Sequence, residues 1–205
     1  MIVKVCGLRE AANIRDVETV GADWMGFVCY PKSLRYVAGV PDYLPRKARR
    51  VGVFVDATLV EIMTRVGQLV LDTVQLHGGE SPALCRKLHS VGLRVIKAFA
   101  LRRSSDLAAV AAYDGACDYY LFDTPCVGYG GSGRMFDWEL LSGYGGPTPF
   151  LLSGGLRPAS FSALREFHHP CWAGIDLNSG FETAPGVKDA AALADFIEQF
   201  KKLHL

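Results

Sequence analysis

The chain has 205 residues, half of them hydrophobic, with 22 Lys and Arg against 21 Asp and Glu for a formal net charge of +1. That length fits one large domain or two small ones with a sizeable core, and basic residues spread along the chain argue against nucleic acid or an anionic membrane as the main partner. No apolar run approaches the roughly 18–20 residues that span a bilayer, and no signal-peptide pattern opens the chain.

Ile2–Cys6 is a β-branched run closed by Gly7, and it reads as a first strand ending in a thiol. Trp24–Cys29 reads as a second, after which Pro41 and Pro45 interrupt any helical pattern. A third strand at Val51–Val55 precedes a helical stretch between Ala57 and Leu69, where Leu59, Ile62, Met63, Val66 and Leu69 make a stripe of period 3.6. Thr73–Leu76 follows. Ser81-Pro82 then supplies an N-cap with proline at the first helical position, for a helix ending at Gly92 with Leu84, Cys85, Leu88 and Val91 facing inward. After a strand at Val95–Phe99, the Ala-rich stretch from Asp106 to Tyr113 reads as helix. Strands at Tyr119–Phe122, Phe150–Leu152 and Trp172–Ile175 lead to a last helix over Asp189–Leu203, with Leu193, Phe196, Ile197 and Phe200 on one face.

The strands are short and largely unalternated, as buried parallel strands are. About eight strand–helix units predict an α/β chain forming a single (β/α)₈ TIM barrel over residues 1–205. An open doubly wound sheet is the other option, but Cys6-Gly7-Leu8-Arg9 stands where its Gly-rich fingerprint belongs. None of the six cysteines forms a CxxC pair, which suits a reduced, cytoplasmic chain. His168, His169 and Cys171 lack a second ligand pair at recognisable spacing, so no metal is expected.

In such a barrel, chemistry sits at the carboxyl ends of the strands. Those ends present Cys6, Tyr30 to Arg35, Asp56, Gln75 to His77, Lys97, Asp123, Ser153 to Gly155 and Asp176 to Ser179. LLSGGLRP and GIDLNSGFE each end a strand in a glycine turn. Two such turns after strands seven and eight point to phosphate held by backbone N–H groups, with Asn178 and Ser179 as added donors. Asp123 ends the apolar run YYLFD, where it either caps the next loop or, desolvated, carries a proton near neutral pH. The loop from Thr124 to Met135, containing GYGGSG, is long enough to close over a ligand. Arg35 is either a surface residue or a fork for a carboxylate.

KVCGLRE, CYPKSLRYV, VGVFVD, VQLHGGE, LFDT, GGSGRMFDW, LSGGLRP and GIDLNSGFETAPGVKD occur in the order expected of one family. From Lys4 to about Asp189 the chain resembles the phosphoribosylanthranilate isomerases. The resemblance implies a (β/α)₈ barrel that rearranges N-(5-phosphoribosyl)anthranilate to 1-(2-carboxyphenylamino)-1-deoxyribulose 5-phosphate in tryptophan biosynthesis. This is acid–base chemistry, with no cofactor or metal implied. Asp123 would be the general acid, Cys6 the general base and Arg35 the holder of the anthranilate carboxylate. Gly154, Gly155, Asn178 and Ser179 would bind phosphate, Asp176 would orient that turn or sit near substrate, and Gly7 would leave space beside the sugar. Gln75 and His77 would line the mouth, with no role assigned.

Two positions depart from the family pattern. Leu34 stands where proline or lysine is usual, which would shift the loop aiming Arg35, and Asn178 replaces a common serine. The related isomerase of histidine biosynthesis carries a carboxylate where Cys6 stands. A noncatalytic phosphosugar-binding barrel is the alternative from another class. The expected partner is the small phosphosugar–anthranilate substrate, with no nucleic acid or membrane, for a stand-alone monomer or homodimer.

Overall fold

The structure is a computed structural model, which describes residues 1–124 and 137–203. Cys126 and the GYGGSG segment lie outside the described residues. Eight parallel strands close into a barrel in sequence order: β1 (Ile2–Cys6), β2 (Trp24–Val28), β3 (Arg49–Phe54), β4 (Thr73–Leu76), β5 (Arg94–Ala100), β6 (Tyr119–Asp123), β7 (Phe150–Leu152) and β8 (Trp172–Leu177). Closure is made by β1 against β8, with Lys4 opposite Asp176. A closed barrel rather than an open sheet is therefore the architecture.

Alternate residues face in and out along each strand. Val3 and Val5 of β1 join the large layer between barrel and helices, whereas Ile2 and Cys6 belong to clusters inside the barrel. Trp24, Val51, Ile96, Leu121 and Leu151 fill the lower interior. Cys6, Val28 and Val53 form the next layer towards the carboxyl ends. Both faces are buried, which is why the strands show no polar alternation in sequence.

The helical ring is uneven. α1 (Ala11–Thr19), α2 (Leu59–Leu69), α3 (Pro82–Ser90), α4 (Phe161–Glu166) and α5 (Ala190–Lys202) cover parts of the barrel. α2 starts at a capping box, with Thr58 and Glu61 satisfying each other's backbone N–H groups. α3 is capped by Ser81 with Pro82 in its first turn. Between β2 and β3 no helix forms, in keeping with Pro41 and Pro45. The stretch predicted as helix from Asp106 is instead part of a 3₁₀ segment, Ser104–Tyr113, in which Val110 alone is buried. With small apolar residues all round and no inward stripe, packing does not impose α geometry there. Val91 and Met63, both expected to face inward, are exposed; Val91 lies past the last turn of α3.

Candidate active site

At the carboxyl ends of the strands lies a cavity of about 570 Å³. The eight residues expected to be catalytic or substrate-binding all line it: Cys6, Arg35, Asp123, Gly154, Gly155, Asp176, Asn178 and Ser179. Gln75 and His77 line it too. Asp56 and Lys97 do not: the Asp56 carboxylate accepts the Gly79 N–H, and Lys97 is buried against Glu80 and the carbonyls of Leu76, Gly78 and Ala98. His169 is likewise structural, bridging the Tyr144 carbonyl and the Cys171 N–H.

Cys6 ends β1 and is 3% exposed. It faces Gly26 of β2, where a Cβ would come within 2.7 Å of its Sγ, so the neighbouring strand makes room for the thiol. Two positions towards the lower end of β1, on the same face, Lys4 is fully buried and its Nζ meets Asp176 Oδ1 at 2.8 Å. Burial pushes the Cys6 thiol above its ordinary value, against the opposing pull of the Lys4 and Lys188 cations. For Lys4, burial works downward, but Asp176 and Cys6 together outweigh it and hold the ammonium above its ordinary value. Asp176 is raised, chiefly by desolvation, with Lys4 opposing.

Asp123 ends β6. Its Oδ1 accepts the Thr124 N–H at 2.8 Å, and its Oδ2 lies 3.1 Å from His77 Nε2. The other ring nitrogen, Nδ1, is 2.9 Å from Gln75 Nε2. With that amide as donor, Nδ1 accepts and the imidazole carries its proton on Nε2, which donates to the Asp123 carboxylate. Asp123 thus caps its own loop and lines the cavity, with its side chain 22% exposed.

Arg35 sits in a tight turn after β2, its backbone N–H donating to Ser33 Oγ. The side chain makes a forked pair with Glu182: Nε is 2.8 Å from Oε1 and Nη2 is 2.5 Å from Oε2. Leu34, one of the family departures, is 72% exposed, so its side chain points away from the cavity. Gly7 adopts φ +82, and a Cβ there would lie 2.7 Å from Arg35 Cδ and 2.8 Å from Asn178 Oδ1. The space that Gly7 frees is filled by those two side chains rather than left for a sugar.

The turn after β7 is built on positive φ at Gly154 and Gly155. A Cβ on Gly154 would lie 2.2 Å from Thr124 Oγ1, so only glycine fits. After β8, Asn178 accepts from Lys188 Nζ at 2.7 Å through Oδ1, which directs its amide N–H₂ away from that cation. Lys188 is fully buried and also meets Glu182 at 2.7 Å. Lys4, Glu182 and Lys188 were not singled out from the sequence. Lys4 alone carried a signal, a lysine two positions from Cys6 in an otherwise apolar strand.

No helix among the described residues is long and apolar enough to cross a membrane. Comparison with known proteins bears on the arrangement as a whole. The family model "N-(5'phosphoribosyl)anthranilate (PRA) isomerase" matches residues 3–199. An N-(5'-phosphoribosyl)anthranilate isomerase of Phocaeicola vulgatus is 56% identical over 202 residues, 98% of each chain. The crystal structure of the Thermus thermophilus phosphoribosyl anthranilate isomerase superposes with a TM-score of 0.86 at 28% identity, covering all of both chains. A phosphoribosyl anthranilate isomerase in complex with reduced 1-(o-carboxyphenylamino)-1-deoxyribulose 5-phosphate superposes with a TM-score of 0.81 at 32% identity, over 98% of this chain and 100% of that one. A closed barrel with thiol, carboxylate and two glycine turns at one mouth, matched over nearly its whole length, makes this chain a member of the N-(5'-phosphoribosyl)anthranilate isomerase family.

Proposed function

We propose that Cys6 and Asp123 are the base and acid with which this isomerase carries out its Amadori rearrangement. The observation that carries the reading is the convergence of both, with Arg35 and the two glycine turns, on one cavity. Asp123, in its protonated form, gives a proton to the furanose ring oxygen as the C1–O bond breaks and the nitrogen lone pair forms an iminium. That cation acidifies the C2 hydrogen, which the Cys6 thiolate removes to leave an enolamine. Loss of the O2 proton and protonation at C1 complete the ketone.

Only the thiolate of Cys6 can act as base. Burial opposes its formation, but Lys4 and Lys188 favour it, and the iminium adds a positive charge at the moment the base is needed. Gly154, Gly155, Asn178 and Ser179 hold the phosphate, and Arg35 holds the anthranilate carboxylate. Asp176 keeps Lys4 charged beside the thiol. We further infer that residues 1–205 form one catalytic barrel, cytoplasmic and working as a monomer or homodimer on this small substrate without nucleic acid.

The test is loss of anthranilate fluorescence from freshly generated phosphoribosylanthranilate. Cys6→Ala and Asp123→Asn should each lower the rate by about 10²–10⁴, the usual weight of one positioned acid or base, with inorganic phosphate still bound. Unchanged rates in either variant would remove that residue from the mechanism.

A further inference from the structure

Glu182 belongs neither to the acid–base pair nor to the phosphate turns, yet its carboxylate is 5% exposed and surrounded by donors. Arg35 Nε reaches Oε1 at 2.8 Å and Oε2 at 3.1 Å, and Nη2 reaches Oε2 at 2.5 Å. The Gly186 N–H adds a bond of 3.0 Å and Lys188 Nζ one of 2.7 Å, both to Oε1. Lys188 is itself pinned, its backbone exchanging two 2.8 Å bonds with the Asn13 side chain on α1.

Two features follow from this arrangement. Glu182 is anchored by Lys188 and Gly186 as well as by Arg35, so it does not swing away when another anion approaches. The cluster also holds the Arg35 and Lys188 cations against one carboxylate, an excess of positive charge that burial lessens by lowering Lys188. Glu182 engages Nε and Nη2 of the guanidinium, and Nη1 is the corner it leaves. On the far side, the Cβ-less Gly7 lets the Arg35 stem lie against β1.

We infer that Glu182 is a positioning residue that grips the guanidinium of Arg35 from behind, so that Nη1 and the unbalanced charge are presented to the aromatic carboxylate of the substrate. The inference rests on the proposed role of Arg35. A preset fork needs no rotamer search on binding, and a bidentate pair fixes the plane as well as the position. The same residue carries Lys188, whose second bond to Asn178 Oδ1 sets that amide at the phosphate turn. Burial works to raise the Glu182 carboxyl, but Arg35 and Lys188 together hold it below the usual range, in keeping with a permanent carboxylate.

The experiment is steady-state kinetics of Glu182→Gln, which keeps the shape and the bond to Lys188 but removes the charge that grips Arg35. KM for phosphoribosylanthranilate should rise about 10-fold while kcat stays within about 3-fold, the signature of lost binding shared by ground and transition states. The competitive inhibition constant of inorganic phosphate should stay within about 2-fold, because the glutamine amide oxygen still accepts from Lys188 and leaves the Lys188 bond to Asn178 in place. Glu182→Asp should recover part of the lost KM. KM does not depend on the folded fraction, so partial unfolding of the variant does not mask the result. An unchanged KM would overturn the inference, as would KM and the phosphate constant rising together, which marks general damage. Arg35→Met tests the underlying reading separately. If it leaves KM at the wild-type value, Arg35 does not hold the carboxylate; if it raises KM and Glu182→Gln does not, the positioning role alone falls.

Discussion

Replacing Lys4 by Met is the sharpest test of how the barrel tolerates charge in its interior. Lys4 is fully buried and Asp176 is 5% exposed, and they meet at 2.8 Å inside the barrel. Removing the cation leaves a 5%-exposed carboxylate without its counter-ion, which typically costs about 3–5 kcal/mol. For a chain of this size each kcal/mol moves Tm by ~2–4 °C, so the melting point should fall by about 6–20 °C at pH 8. Desolvation already raises the Asp176 carboxyl with Lys4 present, and without Lys4 it rises further. The sign follows from linkage. A carboxyl raised in the folded state takes up a proton there before it does in the unfolded chain. The penalty is therefore absent below the unfolded value and grows by up to about 1.4 kcal/mol per pH unit until the folded value is passed. Thermal melts at pH 5 and pH 8 should accordingly show a smaller gap from wild type at pH 5. Lys4→Met combined with Asp176→Leu should regain most of the loss at both values, since the buried charge is gone. A gap independent of pH, or a double variant no better than the single one, would refute the reasoning.

Two further predictions bear on the site. Because burial raises the Cys6 thiol, kcat/KM should keep climbing on the alkaline side past the ordinary cysteine range near 8.5, and a plateau already reached at pH 7 would contradict a buried thiol as base. Gly7→Ala should raise KM and lower stability by about 1–3 kcal/mol, the cost of a side chain at positive φ, since its Cβ would press on Arg35 and Asn178; a variant with wild-type KM and melting point would show that the contact is not needed.

The parts of the fold legible in the sequence were those fixed by neighbours in the chain. The cap at Ser81-Pro82, the inward face of α5 and the span of β1 depend on residues a few positions apart, and these stand where they were expected. The segment after β5 departs from the helix its sequence suggests, because alanine favours helix by propensity while α geometry there would need an inward stripe that Ser104–Tyr113 lacks. Within the site, Cys6 and Asp123 were marked by their places at strand ends. The partners that surround the site were not, because Lys4 meets Asp176 across 172 residues and Arg35 meets Glu182 across 147. Glu182 and Lys188 lie in the short hairpin after β8, Glu182–Ala184 with Val187–Lys188, where charged residues read as surface until the chain folds back. The filling of Gly7's space by side chains was hidden for the same reason.

The uneven ring of helices has a consequence for how the barrel breathes. α1, α2, α3 and α5 shield the strands they follow, while the flanks after β2, β5 and β6 carry irregular chain or 3₁₀ turns among the described residues. Opening of a strand amide to solvent requires its cover to lift, and single-turn cover lifts at lower free energy than a packed helix. Deuterium should therefore enter β2 and β6 sooner than β4 and β8. These are the strands that lead to Arg35 and end in Asp123, whereas β8 leads to Asn178. Exchange in that order would make the flanks bearing Arg35 and Asp123 softer than the flank bearing Asn178.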